Sequence, residues 1–223
     1  MQYNIIGGSF PAALCKMNKG DEILCQNGAM IWMDSGIEMK TEGGGIGKAL
    51  GKMFTGEAMF SNRYIANNLG EIAFSASFPG EIRAIELTPG HGIIAQKGAY
   101  LASDPTVDMS VFFQKKIMGG FFGGEGFIMQ KFTGTGTLLI EVNGSSYEYN
   151  LLPGEKKIID TGYLIMMEDT CTMDIEKIKG VKNIVLGGEG LFNTVITGPG
   201  KILLQTMPVN KLVETIATLS PSK

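Results

Sequence analysis

The chain is poor in charge, in histidine and in cysteine, and each shortage removes a class of function. Lys, Arg, Asp and Glu make up 18% of its 223 residues, against roughly 25% in an average soluble domain. The net charge is −3 and the pI about 5.3, so the basic footprint of a nucleic-acid binder is missing. Lys115-Lys116 and Lys156-Lys157 come nearest to one, and two doublets on an acidic chain read as a solvated face. The single histidine, His91, lies between Gly90 and Gly92. A zinc site needs several His or Cys at set spacings, and a nucleophile needs a base beside it. His91 is therefore expected on an exposed turn, without chemistry. Three cysteines, Cys15, Cys25 and Cys171, occur without a CxxC, which speaks against a disulfide framework and fits a reducing cytoplasm. Each is expected as a small buried apolar residue. No stretch of about 18 residues is free of charge and evenly apolar, so no membrane-spanning helix is expected. Nor does a basic segment followed by an apolar run open the chain as a secretory leader would.

What is abundant is glycine, with 32 residues where average usage would give roughly 16. Without a collagen period this implies many turns and many short strands. The run from Glu42 to Ala49, EGGGIGKA, only superficially suggests a phosphate loop. That loop needs glycine where Glu42 stands and Ser or Thr where Ala49 stands, to ligate Mg²⁺. No GxGxxG opens a long helix, no GxSxG elbow occurs, and no loop is dense in Asp or Asn, so no cofactor or metal is expected.

The chain aligns with itself. GDEILCQNGAMIWMDSGIEMK from Gly20, GHGIIAQKGAYLASDPTVDMS from Gly90 and GEKKIIDTGYLIMMEDTCTMD from Gly154 superpose without gaps, and Gly28, Gly98 and Gly162 share a column. A second marker follows each: Gly56-Glu57 in TGEAMF, Gly124-Glu125 in GGEGF and Gly188-Glu189 in GGEGLF. A third comprises LGEIAFSASF, GTGTLLIEVN and GPGKILLQTM. Three markers at one period of roughly 65 residues define a repeat. The units read as 1–65, 66–131 and 132–195, followed by a strand and helix over 196–223, in a single compact domain. The tail strand is expected to pair with the N-terminal strand and close the structure, removing an edge.

Within a unit the period is that of strands. Ile72, Phe74 and Ala76 alternate with Ala73, Ser75 and Ser77, and Leu138, Ile140 and Val142 precede Asn143-Gly144, a type I′ hairpin signal. Pro79-Gly80, Pro89-Gly90 and Pro153-Gly154 are turn dipeptides. The fold class is all-β: a three-fold internal repeat of short strands, sandwich- or barrel-like. Helix is expected near the end, where Leu212, Val213, Ile216 and Leu219 share a face, Asn210 caps it, and the helix packs on the sheet body. Ile46 to Phe54 also carry helical spacing.

The acids Glu57, Glu125 and Glu189 recur with the repeat, which reads as architecture: a glutamate beside glycine at a turn accepts backbone N–H bonds. A less neutral feature is the apolar cluster Phe112, Phe113, Ile117, Met118, Phe121 and Phe122, interrupted by Gln114, Lys115 and Lys116. The polar residues must reach water, so the segment is expected to form a contact surface for a second subunit, a membrane surface or a membrane-associated protein, the alternative being a loop tucked under the sheet that fills the core.

FFGGEGF followed by QKFTGTGTLLIEV, and LGGEGLFNTVITGPGKILLQT, resemble the signature of the altered inheritance of mitochondria protein 24 family over essentially the whole chain. The first unit departs from it, with TGEAMF. The resemblance implies a fold akin to the tryptophan RNA-binding attenuation protein, with short strands wound as a double-stranded β-helix or sandwich. It supplies no catalytic residues. Mitochondrial members are linked to inner-membrane organisation, which implies a structural role by analogy. The expected function is a non-enzymatic structural or scaffolding protein, acting as an oligomer or at a membrane face. The alternatives are a binding module for a small apolar ligand, held among Met- and Phe-rich loops, and an enzyme of unrecognised type.

Overall fold

A computed structural model describes residues 1–40, 61–115, 127–177 and 192–219. They are built of short strands with one α-helix at the end. Strands β1 (Gln2–Ile6) and β2 (Ala12–Met17) are followed by β3 (Glu22–Gln26), β4 (Met30–Met33), β5 (Ile37–Lys40), β6 (Ser61–Ala66) and β7 (Gly70–Ser75). The second set is β8 (Gly80–Leu87), β9 (Ile93–Gln96), β10 (Tyr100–Ser103), β11 (Val107–Lys115), β12 (Phe127–Gly134) and β13 (Gly136–Asn143). The third is β14 (Ser146–Leu151), β15 (Lys156–Asp160), β16 (Leu164–Glu168), β17 (Thr172–Lys177), β18 (Phe192–Thr197) and β19 (Gly200–Gln205), and then helix α1 (Val209–Leu219).

One pairing scheme serves all three sets. β7 lies between β2 and β4, β13 between β8 and β10, and β19 between β14 and β16; β6 lies between β3 and β5, β12 between β9 and β11, and β18 between β15 and β17. All these pairs are antiparallel. In each set the two three-stranded halves face each other across an apolar core, because alternation turns every second side chain inward. Cys15, Ile23, Cys25, Tyr64, Ile72 and Phe74 meet in the first sandwich. Ala95, Phe132, Leu138, Ile140 and Val142 meet in the second, and Ile159, Leu164, Ile196 and Ile202 in the third.

Neighbouring sandwiches are joined by backbone. β3 pairs with β10, and β9 with β16, so the described strands merge into sheets ordered β1-β2-β7-β4, β5-β6-β3-β10-β13-β8, β11-β12-β9-β16-β19-β14 and β15-β18-β17. Strands such as β10 and β13 are therefore buried on both faces. In β13, Leu138, Ile140 and Val142 fill the second core while Leu139 reaches the first.

Three sequence expectations change. The tail strand does not pair with the N-terminal one: β1 pairs with β2, and β19 pairs with β14 and β16 inside the third sandwich. Asn143-Gly144 is not a hairpin turn, since β13 pairs with β8 and β10 and β14 with β19. Gly144 has φ +75 but no described non-glycine residue has a positive φ, whereas type I′ requires it at both central residues. The corner carries the chain from one sheet to the next and is held by the corner before it, Gly144 N donating to Pro79 O at 2.9 Å. Helix α1 begins before Asn210, with the Pro208 carbonyl accepting from the N–H groups of Lys211 and Leu212 at 3.0 and 3.3 Å. Of the face expected to pack on the sheet, Val213, Ile216 and Leu219 are exposed and Leu212 is half-buried.

The repeat also reveals a latch. Asp34, Asp104 and Glu168 occupy one column of the self-alignment, just after β4, just after β10 and at the end of β16. Asp34 Oδ2 accepts from Glu71 N at 2.9 Å, Asp104 Oδ2 from Thr137 N at 2.7 Å and Glu168 Oε2 from Lys201 N at 2.9 Å. In each case the donor follows a glycine that opens the paired strand. At Gly136, φ +125, an added Cβ would lie 2.7 Å from Asp104 Oδ2, so a side chain there would push the carboxylate off its donor. Asp104 alone also holds the Met1 amino group, at 3.0 Å. A hydrogen bond to a charged group contributes about 1.5–3 kcal/mol. Asp104→Ala should therefore cost about 2 kcal/mol or more in urea unfolding. Asp34→Ala, at an exposed copy of the latch, should cost less. Equal losses at the two positions would contradict this account.

Candidate functional site

Where strands of all three sandwiches come together, the ends of β3, β9, β13 and β19 surround a cavity of about 340 Å³, closed on one side by the start of α1. The same columns of the repeat face it more than once: Gln26 and Gln96 end β3 and β9, and Glu141 and Gln205 lie near the ends of β13 and β19. A polar side chain so deep in a sheet needs partners, and most here have them. Gln205 Oε1 accepts from Asn143 N at 3.1 Å and its Nε2 donates to Gly162 O at 2.8 Å. Gln96 Nε2 reaches the carbonyls of Thr161 and Gly162 at 3.4 and 3.5 Å. Two buried oxygens in the wall, Gln26 Oε1 and Asn143 Oδ1, have no protein donor.

Glu141 is the acidic residue of the wall. It is 4% exposed, and its carboxyl accepts from Ser77 N and, at 3.1 Å, from Ser77 Oγ. Burial raises its pKa, and the Ser77 bonds offset part of that rise. Tyr100, also in the wall, is pushed up as well by burial, against its bond to Ser103 Oγ at 3.2 Å. The site thus presents a carboxyl whose pKa burial raises, a phenol raised likewise and several amides, a set suited to hydrogen-bond recognition.

The residues singled out in the sequence are not gathered here. Phe112 is exposed at a bulge of β11, whereas Phe113 turns inward to Phe127, with ring centroids 6.3 Å apart. Strand alternation thus splits the pair between solvent and the third core. Ile117, Met118, Phe121 and Phe122 lie outside the described residues, as do Gly56, Glu57, Gly124, Glu125, Gly188, Glu189 and the helical spacing from Ile46 to Phe54. His91 is exposed on its turn. No group of three or more potential metal ligands occurs among the described residues. The cysteines are buried, and burial pushes the thiols of Cys15 and Cys25 up to about 12. Glu141 and Gln205 escaped the sequence reading because each is a lone polar residue in an otherwise apolar strand. The shared column was the signal that could have found them.

Glu141 makes a pH prediction. Its folded pKa is raised, so the folded state keeps a proton that the unfolded chain releases near about pH 4. The stability this supplies is complete below the unfolded pKa and is lost as pH rises through the folded one. Glu141→Gln keeps an acceptor and a donor toward Ser77 without the ionisation. Its stability relative to the wild type should climb as pH rises from about 4 to about 8. Urea titrations at stepped pH measure this, and parallel curves for the two proteins would refute it.

Compared with known proteins, residues 3–207 match the family described as mitochondrial biogenesis AIM24. An uncharacterised protein of Streptococcus pyogenes serotype M6 is 28% identical over 222 residues, covering 96% of this chain and 88% of that protein. The crystal structure of a Streptococcus pyogenes protein superposes with a TM-score of 0.83 at 25% identity, covering 98% of this chain and 99% of that one.

Proposed function

Since the chain belongs to the mitochondrial biogenesis AIM24 family, we propose that it is a non-enzymatic structural or scaffolding protein that works through apolar surfaces, at a membrane face or as an oligomer. The observation that carries this reading is the solvent-exposed apolar stripe of α1. Val213, Ile216 and Leu219 recur every third residue along one side of the helix and all three are exposed. A soluble monomer gains nothing from such a stripe, whereas an amphipathic helix lying in a lipid interface buries it. No helix among the described residues is long and apolar enough to cross a membrane, and contact through a helix face needs none.

The test is vesicle co-sedimentation with phosphatidylcholine alone and mixed with phosphatidylglycerol. The wild type should pellet with vesicles, and Val213→Ser, Ile216→Ser and Leu219→Ser combined should reduce the bound fraction roughly tenfold. The stripe is exposed, so the melting temperature should not change. A wild type that stays in the supernatant with both lipids defeats the membrane reading.

A second reading has one observation of its own. Gln26 Oε1 and Asn143 Oδ1 are unsatisfied acceptors on the 340 Å³ cavity, which supports a small ligand that offers N–H donors. This differs from the apolar ligand expected among Met- and Phe-rich loops. Small amides and amines should raise the melting temperature of the wild type, and Asn143→Leu should abolish the shift. No response from any of them would dismiss this reading.

A further inference from the structure

The chain contains two seams between sandwiches and the halves of a third. At the first seam Cys25 faces Ala102 and Leu24 faces Ser103. At the second, Ala95 faces Met166, Ile94 faces Met167 and Ile93 faces Glu168. In the self-alignment, β15 occupies the place of β3 and β9, and β4 that of β10 and β16. Yet β4 ends one sheet and β15 ends another, with no strand beyond either among the described residues.

The side chains register the loss. Trp32 is 49% exposed, while its counterparts Ala102 and Met166 are 0% and 4% exposed and pack into the core of the preceding sandwich. Ile158 is 66% exposed, while its counterpart Ile94 is 1% exposed and packs into the core of the following one. Both ends therefore show apolar surface of the kind that the internal seams bury.

Edge strands are normally guarded by charge or by proline. Among the described sheets, β5 carries Glu38 and Lys40, β8 carries Glu81, Arg83 and Glu86, β11 carries Asp108, β14 carries Glu148, β15 carries Lys156, Lys157 and Asp160, and β17 carries Asp174 and Glu176. β1 has Gln2 and Asn4. β4 is Met-Ile-Trp-Met, without a polar residue.

We propose that β4 of one copy pairs antiparallel with β15 of a second copy, reproducing the internal seam between molecules. The register carried over from the two seams sets Trp32 opposite Ile159, Met33 opposite Ile158 and Asp34 opposite Lys157. The last pair places a carboxylate against an ammonium where the second seam has Glu168 against Ile93. Because the two edges differ, the contact is head-to-tail and repeats from copy to copy, giving a ring if the rotation closes and a filament if it does not. It rests on the oligomer arm of the proposed function and is independent of the membrane arm. Vesicle binding through α1 can fail while this contact forms, and the reverse.

Cross-linking tests it. Met33→Cys and Ile158→Cys are made separately, mixed and oxidised mildly; opposed strand residues come close enough for a disulfide. Cys15, Cys25 and Cys171 are buried, so background is low. The mixture should give a disulfide-linked dimer containing one of each variant, and the double variant a ladder of multimers. A double variant that instead links within one chain, running as a compact monomer, would show that the molecule closes on itself and overturn the proposal. So would the absence of any cross-link in folded protein. In parallel, Trp32→Lys should lower the mass seen by light scattering by roughly twofold or more with the far-ultraviolet circular dichroism intact. An unchanged mass in folded Trp32→Lys protein counts against the proposal. If that variant unfolds, the cysteine pair decides alone.

Discussion

A three-stranded half-sheet cannot stop at a bare backbone edge without cost, and the rest of the structure depends on how this chain meets that demand. β3 hands its free edge to β10, and β9 hands its own to β16. The hydrogen bonds that complete one sandwich thereby begin the next, so adjacent cores share a wall. That is why β13 is apolar on both faces, with Leu139 serving one core and Leu138 and Ile140 the other. It is also why polar side chains at strand ends, such as Glu141 and Gln205, find themselves deep at a junction rather than in solvent.

The carboxylates after β4 and β10 and at the end of β16 fix where each wall begins. A bond from the side chain of Asp34, Asp104 or Glu168 to the first amide after a glycine sets the start of the facing strand. A slip of one residue there would turn every inward side chain outward. Asp104 carries an added load, since it also receives the Met1 amino group. The first sandwich is thus tied to the second by an ion pair as well as by the seam.

Much of the fold was legible because strand period and turn chemistry are local. The alternation around Ile72 and Phe74 located β7, and the gap-free self-alignment matched Gly20, Gly90 and Gly154, which share positive φ values of 91, 84 and 79. What failed was non-local. Asn143-Gly144 has the composition of a hairpin turn, yet the strands on either side belong to different sheets, a fact set by partners distant in sequence. The stripe on α1 was visible, but whether it is covered depends on contacts distant in sequence. Glu57, Glu125 and Glu189, expected as acceptors of backbone N–H bonds, lie outside the described residues; within those, another column of acids takes such bonds. That column, Asp34, Asp104 and Glu168, was present in the same alignment and drew no notice because it ends an apolar strand without a glycine beside it. For the cavity, the sequence offered only isolated polar letters. Gln26, Gln96, Glu141 and Gln205 become a constellation once the seams bring their strand ends together.

Sharing walls also decides how such a molecule comes apart. The second sandwich has a backbone seam on each flank, whereas the first and third have one each. When stability is a sum of intrinsic and nearest-neighbour contributions, opening spreads inward from the ends, as in a row of coupled switches. The amides of β12 and β13 then exchange last, near the free energy of global unfolding, while those of β4 and β15 exchange through smaller fluctuations. The middle of the chain is the part that remembers the fold longest.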